Sequence, residues 1–265
     1  MKIGFIGCGS MGGAMLEGIL QSRLSSNDIW IYEDSLKRRE ELIDNYKINI
    51  ALDMKEMTEE CKIIFLAIKP HICYSVLEEI KEKLDGKILV SVAAGVTIDA
   101  IEDIIGDDKK VIRIMPNTPA CVGEAMTSLT PNRNIEEDEK KEVAYLLEGF
   151  GKVEEVEERM IHAVIGASGS APAYVFMFIE AMADAAVLKG MPREKAYKFA
   201  SQAVLGAAKM VLETGVHPGQ LKDMVCSPGG TTIEAVTELE KRGMKAAVVG
   251  AMIKCMEKSE EMSKK

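Results

Sequence analysis

The sequence of 265 residues has few aromatic residues and no paired cysteine motif. Aromatic residues make up 5% of it, and its six cysteines are scattered without a CxxC pair. Scattered cysteines argue against a disulfide framework or a zinc site and favour free thiols in a reducing compartment. The three histidines, His71, His162 and His217, have no metal-ligand spacing. We therefore expect no metal site, and we interpret these histidines as loop or packing residues.

An excess of basic residues and a long hydrophobic run are also missing. Lys and Arg total 33 against 42 Asp and Glu, a formal net charge of -9, so we expect no nucleic-acid partner. No run reaches the roughly 18 uninterrupted apolar residues of a membrane span, so we expect no membrane association. The first strand-like run begins at Lys2, which leaves no room for a targeting leader. Together these absences predict a cytoplasmic protein.

The pattern of apolar residues that is present changes part-way along the chain. In the first part, short apolar runs rich in β-formers alternate with amphipathic stretches. Apolar strands without polar alternation are typical of a parallel sheet that helices cover on both faces. The predicted strands are residues 2–7, 29–32, 63–67, 88–92 and 111–115. This part is therefore predicted to be an α/β domain with a Rossmann-like, doubly wound sheet.

After about residue 159 the strand-like runs stop and helical patterns rich in Ala, Met and Leu follow. Residues 174–188 are apolar nearly all round, so this helix must be buried in the chain or against a partner subunit. Further helices are predicted from Pro192 to about residue 213, over 231–242 and over 244–262. The sequence thus predicts two domains, α/β over 1–159 and all-α over 160–265, and the apolar helix favours oligomerisation.

The strongest single motif is a glycine loop between the first strand and the first helix. Gly7, Gly9 and Gly12 form the pattern GxGxxG. Gly7 would allow a tight turn, Gly9 the approach of a pyrophosphate, and Gly12 close packing of the helix on the strand. Free N–H groups at the start of the helix would bind phosphate. The motif predicts a dinucleotide site; the alternative is a glycine turn without a ligand.

Two acidic residues, Glu33 and Asp34, follow the second strand at the position where Rossmann domains bind the adenosine ribose, about twenty residues after the glycine loop. Either carboxylate would accept hydrogen bonds from a 2′-hydroxyl and so favour NADH. A basic run at residues 37–39 follows. It would pair with a 2′-phosphate, or it forms a solvated helix face. The choice between NADPH and NADH therefore stays open.

Three other loops have the composition of a ligand site. Residues 67–70 and 93–95 follow strands and contain small residues that would let a nicotinamide ribose lie on the backbone; Lys69 points to the cofactor or is a solvated lysine. In the helical part, residues 226–232 break the chain before a helix, where Thr231 and Glu234 have capping-box spacing. Exposed N–H groups there would bind a small carboxylate, and an ordinary helix cap is the alternative.

Motifs along nearly the whole chain resemble those of the pyrroline-5-carboxylate reductases. They are FIGCGSMGGAM from Phe5, AIKPH from Ala67, SVAAGVTI from Ser91, RIMPNTPACVGEAMT from Arg113, GASGSAPAYVF from Gly166 and HPGQLKDMVCSPGGTTIEAV from His217. The last block is the most specific and matches without a gap. The glycine loop alone also resembles 3-hydroxyacid dehydrogenases, but the catalytic lysine motif of those enzymes is not apparent.

The resemblance implies an N-terminal Rossmann domain, a C-terminal helical dimerisation domain and a site built between them. It implies hydride transfer from NAD(P)H to the imine carbon of 1-pyrroline-5-carboxylate, giving L-proline as the last step of proline biosynthesis. NADPH is the usual cofactor of the family. However, the family often has Asn-Arg or Ser-Ser where this chain has Glu33-Asp34. The alternatives are a reductase of a six-membered cyclic imine and a dinucleotide-binding redox sensor without turnover.

The resemblance also assigns residues to the substrate and the cofactor. The substrate would be bound by Ser227, Gly230, Thr231 and Thr232. Of these, Ser227, Thr231 and Thr232 would bind its carboxylate. The Thr232 hydroxyl would also hydrogen-bond the ring nitrogen, which makes Thr232 the candidate catalytic residue. Asn117 would lie near the nicotinamide. The candidate cofactor-binding residues are Ile6, Gly7, Cys8, Gly9, Ser10, Met11, Gly12, Asp34, Ala67, Ile68, Lys69, Pro70, Val92, Ala93 and Ala94.

Overall fold

A mixed eight-stranded sheet organises the N-terminal part of the chain in the computed structural model, which describes residues 1–21 and 24–263. The strands lie in the order β3-β2-β1-β4-β5-β6-β7-β8. In this order, each pair of neighbouring strands from β3 through β6 is parallel. Strand β7 is antiparallel to β6, and β8 is parallel to β7. The strands are β1 Ile3–Ile6, β2 Ile29–Tyr32, β3 Asn49–Ile50, β4 Ile63–Leu66, β5 Ile88–Ser91, β6 Lys110–Met115, β7 Ala125–Pro131 and β8 Gly151–Glu155.

In the described part of the chain, six helices accompany the sheet and six more follow it. The first six are α1 Ser10–Gln21, α2 Leu36–Tyr46, α3 Met54–Glu60, α4 Pro70–Ile80, α5 Ile98–Ile105 and α6 Glu137–Leu147. The later ones are α7 Ile161–Val164, α8 Ala171–Leu188, α9 Arg193–Thr214, α10 Pro218–Val225, α11 Thr231–Lys241 and α12 Met244–Ser263. The predicted Rossmann-like sheet and the all-α C-terminal part are therefore both confirmed.

Two apolar cores, one on each face of the sheet, explain why the strands are continuously apolar. Ile63 and Phe65 of β4 belong to one core with α1, whereas Ile64 and Leu66 belong to the other with α4 and α5. The Phe5 ring stacks on that of Phe65, with centroids 4.8 Å apart. Because alternate residues of one strand enter opposite cores, both faces must be apolar.

All five predicted strands are present, but three strands were not predicted. β3 has only two residues. β7 contains Thr127, Ser128 and Thr130, which are polar but buried, so it lacks the apolar run that identified the others. β8 lies at the sheet edge and is largely exposed, so burial did not select apolar residues there.

The chain divides into two compact units. One comprises Met1–Gly169 together with the C-terminal segment from Cys255, and the other comprises Ser170–Lys254. The second unit consists of α8 to α11 and most of α12. The boundary between residues 159 and 160 that was predicted for the functional domains stays a prediction.

Helix α8 is apolar but largely exposed within the chain. Only Ala183 is buried, and Phe176 and Met177 are 64% and 70% exposed. Burial of this helix inside the chain, one of the two predicted alternatives, is therefore wrong. The helical run Glu158–Leu188 is long and apolar enough to cross a membrane by length and composition. That is weak evidence for a span, because an apolar helix covered by another subunit has the same composition.

A buried ion pair ties the sheet to the segment before α7. Arg113 of β6 is 2% exposed, and its Nη1 donates to Glu158 Oε1 over 2.7 Å. The same oxygen accepts the N–H of Ile98 at the start of α5, at 2.8 Å. Glu158 therefore neutralises a guanidinium that water does not reach.

We predict that Glu158→Ala lowers the free energy of unfolding by about 3 kcal/mol, because it leaves the buried charge of Arg113 unpaired. Adding Arg113→Met removes that charge and restores most of the loss. The matched control is Glu157→Ala, whose partner Arg159 is exposed and which changes stability by less than about 1 kcal/mol. Urea unfolding of the wild type, the two single variants and the double variant measures these free energies. Equal losses of stability in Glu157→Ala and Glu158→Ala contradict a buried ion pair between Glu158 and Arg113.

Candidate active site

The three glycines of the first loop differ in the space around them. Gly7 has a φ of +82°, and a Cβ there would lie 2.7 Å from the carbonyl oxygen of Ala67. A Cβ on Gly12 would lie 3.0 Å from the carbonyl oxygen of Gly7. A Cβ on Gly9 would have no atom within 4 Å. Gly7 and Gly12 are thus required by the turn and by packing, whereas Gly9 leaves open space, which fits the approach of a dinucleotide pyrophosphate.

Backbone hydrogen bonds fix this loop at the carboxyl end of β1. The Gly7 N–H donates to Tyr32 O over 2.8 Å, and the Ala67 N–H donates to Ile6 O over 2.9 Å. The first N–H to bond back along α1 is that of Gly13, to the Gly9 carbonyl at 2.8 Å. The N–H groups of Ser10, Met11 and Gly12 precede it and have no acceptor within the helix. A helix end with such free N–H groups is suited to bind an anion.

Cys8, in the middle of the loop, is held by side chains from beyond β2. Its N–H donates to Glu33 Oε2 and its carbonyl accepts Arg38 Nε, both over 2.9 Å. The thiol is buried, and burial raises its pKa to about 12, against a smaller opposing effect of Arg38. The side chain is therefore an unreactive core thiol, and its backbone N–H already has an acceptor.

The turn after β2 is built around Glu33. Its Oε1 accepts the N–H of Ser35 over 3.0 Å, and its carbonyl accepts Arg39 Nε. Arg38 Nη1 pairs with Glu41 at 3.1 Å. Burial, with the hydrogen bond from its hydroxyl to Asp34, raises the pKa of Tyr32. Glu33 thus has defined hydrogen-bond partners inside the chain.

A cleft of about 410 Å³ lies at the carboxyl ends of β1, β2 and β4. The predicted cofactor-binding residues that line it are Ile6, Gly7, Gly9, Asp34, Ala67, Ile68 and Lys69. Those that do not are Cys8, Ser10, Met11, Gly12, Pro70, Val92, Ala93 and Ala94. Lining residues that were not predicted to bind the cofactor are Tyr32, Met54, His71, Ile72 and Val76, with Glu33 weighed as an alternative to Asp34. His71 and Ile72 follow Pro70 directly, so the same loop argument would have included them.

A larger cleft of about 720 Å³ lies elsewhere on the sheet and contains none of the predicted site residues. Its lining includes five carboxylates, those of Asp99, Glu102, Glu155, Glu157 and Glu158. No glycine loop borders it, and its charge is unsuited to a phosphate. The smaller cleft is therefore the candidate cofactor site.

The loop before α11 forms a tight turn. Gly229 has a φ of +69°, and the Gly230 N–H donates to Ser227 O over 3.0 Å. A Cβ on Gly230 would overlap Ser227 Oγ. Gly230 is the N-cap of α11, and no side chain caps this end. The predicted capping box is therefore wrong: Thr231 lies inside the helix, one residue beyond the cap.

The consequence is an open helix N-terminus. The N–H groups of Thr231, Thr232 and Ile233 belong to the first turn of α11 and have no acceptor within the helix. A negatively charged group placed there is stabilised by these donors and by the helix dipole. The loop and α11 belong to the second unit, whereas the cofactor cleft belongs to the first.

Two of the three histidines, His162 and His217, have hydrogen-bond partners within the chain. His162 Nδ1 lies 2.9 Å from Ser259 Oγ, and His217 caps α10 by accepting the Gly219 N–H. His71 is exposed and lines the cofactor cleft. Within residues 1–21 and 24–263, no group of three or more His, Cys, Asp or Glu is arranged to hold a metal.

Asn117 joins three segments of the first unit. Its Nδ2 donates to Ser168 Oγ over 3.1 Å, and its Oδ1 accepts the Met126 N–H over 3.0 Å. Ser168 lies in the π-helical segment Ile165–Gly169, which leads into α8. Ser170 follows the segment as the N-cap of α8. The Asn117 amide therefore positions this segment.

Comparison with known proteins decides the family. Residues 158–262 match the family model described as pyrroline-5-carboxylate reductase dimerisation, and residues 2–95 match that described as NADP oxidoreductase, coenzyme F420-dependent. The pyrroline-5-carboxylate reductase of Escherichia coli K12 is 56% identical over 265 residues, covering 99% of this chain and 98% of that protein. The chain belongs to the pyrroline-5-carboxylate reductase family.

Other members of the pyrroline-5-carboxylate reductase family match over the same length. The reductase of Methanosarcina acetivorans is 42% identical, with 100% of this chain and 98% of that protein covered. The crystal structure of the Plasmodium falciparum reductase with NADP bound has a TM-score of 0.90 at 34% identity, covering 99% and 98% of the two chains. That of Coxiella burnetii has a TM-score of 0.93 at 32% identity, covering 100% and 99%. The chain is thus an NAD(P)H-dependent oxidoreductase.

Alanine substitutions at Gly9 and at Gly7 should have different effects on dinucleotide binding and on the stability of the fold. We predict that Gly9→Ala changes the free energy of unfolding by less than about 0.5 kcal/mol but weakens dinucleotide binding on the order of tenfold, because the methyl group fills the phosphate approach. Gly7→Ala is the comparison and lowers stability by more than about 2 kcal/mol through its positive φ and its overlap. Calorimetry and thermal melting measure both; unaltered binding by Gly9→Ala contradicts the site.

Proposed function

We propose that the chain reduces the imine of 1-pyrroline-5-carboxylate to L-proline, with NADPH or NADH as the reductant, as the last step of proline biosynthesis. The observation that carries this proposal is the uncapped N-terminus of α11 behind the turn from Ser227 to Gly230. It offers a carboxylate site in a chain that also has a dinucleotide loop. A cyclic imine acid needs both a hydride donor and a carboxylate site, and the family relationship supports the combination.

The substrate carboxylate binds the start of α11. Thr231 and Thr232 donate their N–H groups, and the Ser227 hydroxyl donates a further hydrogen bond. Gly230 is required because a side chain there would displace Ser227. These donors are fixed by the helix before substrate arrives, so orientation needs little rearrangement, and such preorganisation contributes much of the rate.

Thr232 also acts at the reacting end of the substrate. Its hydroxyl hydrogen-bonds the ring nitrogen and holds the imine in one orientation. The nitrogen needs a proton, and water supplies it, so no dedicated acid is required. This fits a loop from 226 to 232 that contains no carboxylate, lysine or histidine. Thr232 is thus a catalytic residue that orients the reacting bond.

The cofactor is held by the first unit. The α1 N-terminus at Ser10, Met11 and Gly12 binds the pyrophosphate, the loops 67–70 and 92–94 hold the nicotinamide half, and Asp34 lies on the ribose side. When bound, the reduced nicotinamide supplies the hydride. The space at Gly9 supports this placement, since nothing in the described chain fills it.

Isotope transfer tests the reaction itself. With nicotinamide cofactor deuterated on the transferred side of C4, deuterium should appear at C5 of proline, next to the ring nitrogen. Mass spectrometry and NMR of the product measure it. Dinucleotide binding without any labelled proline, in the presence of 1-pyrroline-5-carboxylate, contradicts the proposal and favours a different cyclic imine or a redox sensor.

Removing the Thr232 hydroxyl tests its role. We predict that Thr232→Ala lowers kcat/KM for the imine about tenfold to a hundredfold, as expected for a lost hydrogen bond to a charged group, and leaves dinucleotide affinity unchanged. Thr237→Ala, on an exposed position of the same helix, is the control and retains wild-type kinetics. Wild-type kcat/KM in Thr232→Ala removes Thr232 from the reaction.

A second copy of this chain is the partner of the apolar helices. Phe176, Met177 and Leu212 are exposed in the second unit, and the matching dimerisation model covers all of them. We infer that they are buried in a dimer or a dimer-based oligomer of a cytoplasmic enzyme, with no membrane or nucleic-acid partner. The exposed apolar face of α8 is therefore buried against another subunit.

Light scattering tests this assembly. We predict that Phe176→Asp reduces the mass in solution from at least a dimer toward the 29.0 kDa of one chain, because a buried, unpaired carboxylate opposes association. Leu52→Asp, at an exposed apolar position of the first unit, retains the wild-type mass. A monomeric wild-type protein contradicts the assembly.

A further inference from the structure

We propose that Glu33 selects the cofactor and makes this chain prefer NADH to NADPH. The proposal rests on the dinucleotide site described above and deepens it. The Glu33 carboxylate lies beside the glycine loop, fixed by the N–H groups of Cys8 at 2.9 Å and Ser35 at 3.0 Å. It also lines the cleft. A carboxylate at the end of β2 is where the adenosine ribose binds in a Rossmann domain.

The hydrogen-bonding capacity of Glu33 is not used up. Each carboxylate oxygen accepts one backbone N–H, and each has a further lone pair. Two ribose hydroxyls can therefore donate to it without breaking either bond. A 2′-phosphate has few or no hydrogen atoms to donate in a hydrogen bond, and it would bring a second negative charge close to the Glu33 carboxylate.

The basic run at residues 37–39 does not line the cleft. None of Lys37, Arg38 and Arg39 is among the described residues that line it. Arg38 is turned back to the Cys8 carbonyl and to Glu41, and Arg39 Nε is bound to the Glu33 carbonyl. A solvated or structural helix face is therefore the better interpretation of this run.

The one Lys or Arg among the described residues that line the cleft is distant from Glu33. Lys69 follows β4, and β1 separates β4 from β2. Two strand spacings amount to about 10 Å. Lys69 therefore follows a strand two positions away from the strand that Glu33 follows, in the loop proposed to hold the nicotinamide half.

Asp34 is the nearest alternative and supplies the control. It lines the same cleft, but it is exposed, whereas Glu33 is half-buried. An exposed charge is screened by solvent and salt more than one fixed against the backbone. Glu33 should therefore contribute more to selection than Asp34.

Isothermal titration with NAD⁺ and NADP⁺ tests the proposal by binding alone. The wild-type protein should bind NAD⁺ more tightly by on the order of tenfold. Glu33→Gln keeps an acceptor oxygen, removes the charge, and should shift the ratio of the two dissociation constants about tenfold toward NADP⁺. Asp34→Asn should shift it less than about threefold. Raising the salt from about 0.05 M to about 0.5 M should reduce wild-type discrimination but not that of Glu33→Gln.

Two results overturn the proposal. One is a wild-type protein that binds NADP⁺ at least as tightly as NAD⁺, and the other is an equal shift by Asp34→Asn and Glu33→Gln. The wild-type ratio and its salt dependence decide the question even if Glu33→Gln fails to fold. The relative from Plasmodium falciparum, whose crystal structure has NADP bound, is a useful reference protein for the same titrations. Failure of the imine reaction would appear separately, as unaltered dinucleotide binding without turnover.

Discussion

The candidate cofactor site depends on how the end of β1 is held between its two neighbouring strands. The hydrogen bonds from Gly7 to Tyr32 and from Ala67 to Ile6 align the three loops that leave β1, β2 and β4. Because the strands are parallel, their carboxyl ends lie at one edge, and the loops meet there. The glycine loop, the acidic turn and the Lys69 loop are therefore one site, although they are far apart in sequence.

The sheet could be predicted where burial required apolar residues on both faces. Strands β1, β2, β4, β5 and β6 are continuous apolar runs, and each was predicted. Strand β7 could not be, since its buried Thr127, Ser128 and Thr130 lack the apolar signal. Thr130 is stabilised by its hydroxyl, which donates to Val156 O over 2.8 Å, a contact that sequence pattern does not reveal.

The site could be predicted only as far as local backbone rules extend. The glycine spacing indicated the phosphate loop, and the family resemblance indicated residues 227–232. The bond between Glu33 and Cys8 joins residues 25 apart, and only the fold brings them together. The capping box failed because α11 already begins at Thr231, so that Gly230, which has no side chain, is the N-cap.

A glycine precedes the first residue of both α1 and α11, and no side chain caps α11. A helix N-terminus of this kind is suited to bind an anion, which in the proposed function is a pyrophosphate at α1 and a carboxylate at α11. The most direct test is steady-state reduction of 1-pyrroline-5-carboxylate with both substrates varied. We expect turnover that saturates in the imine and in the dinucleotide. Tight dinucleotide binding with no reduction of the imine would contradict the combined site.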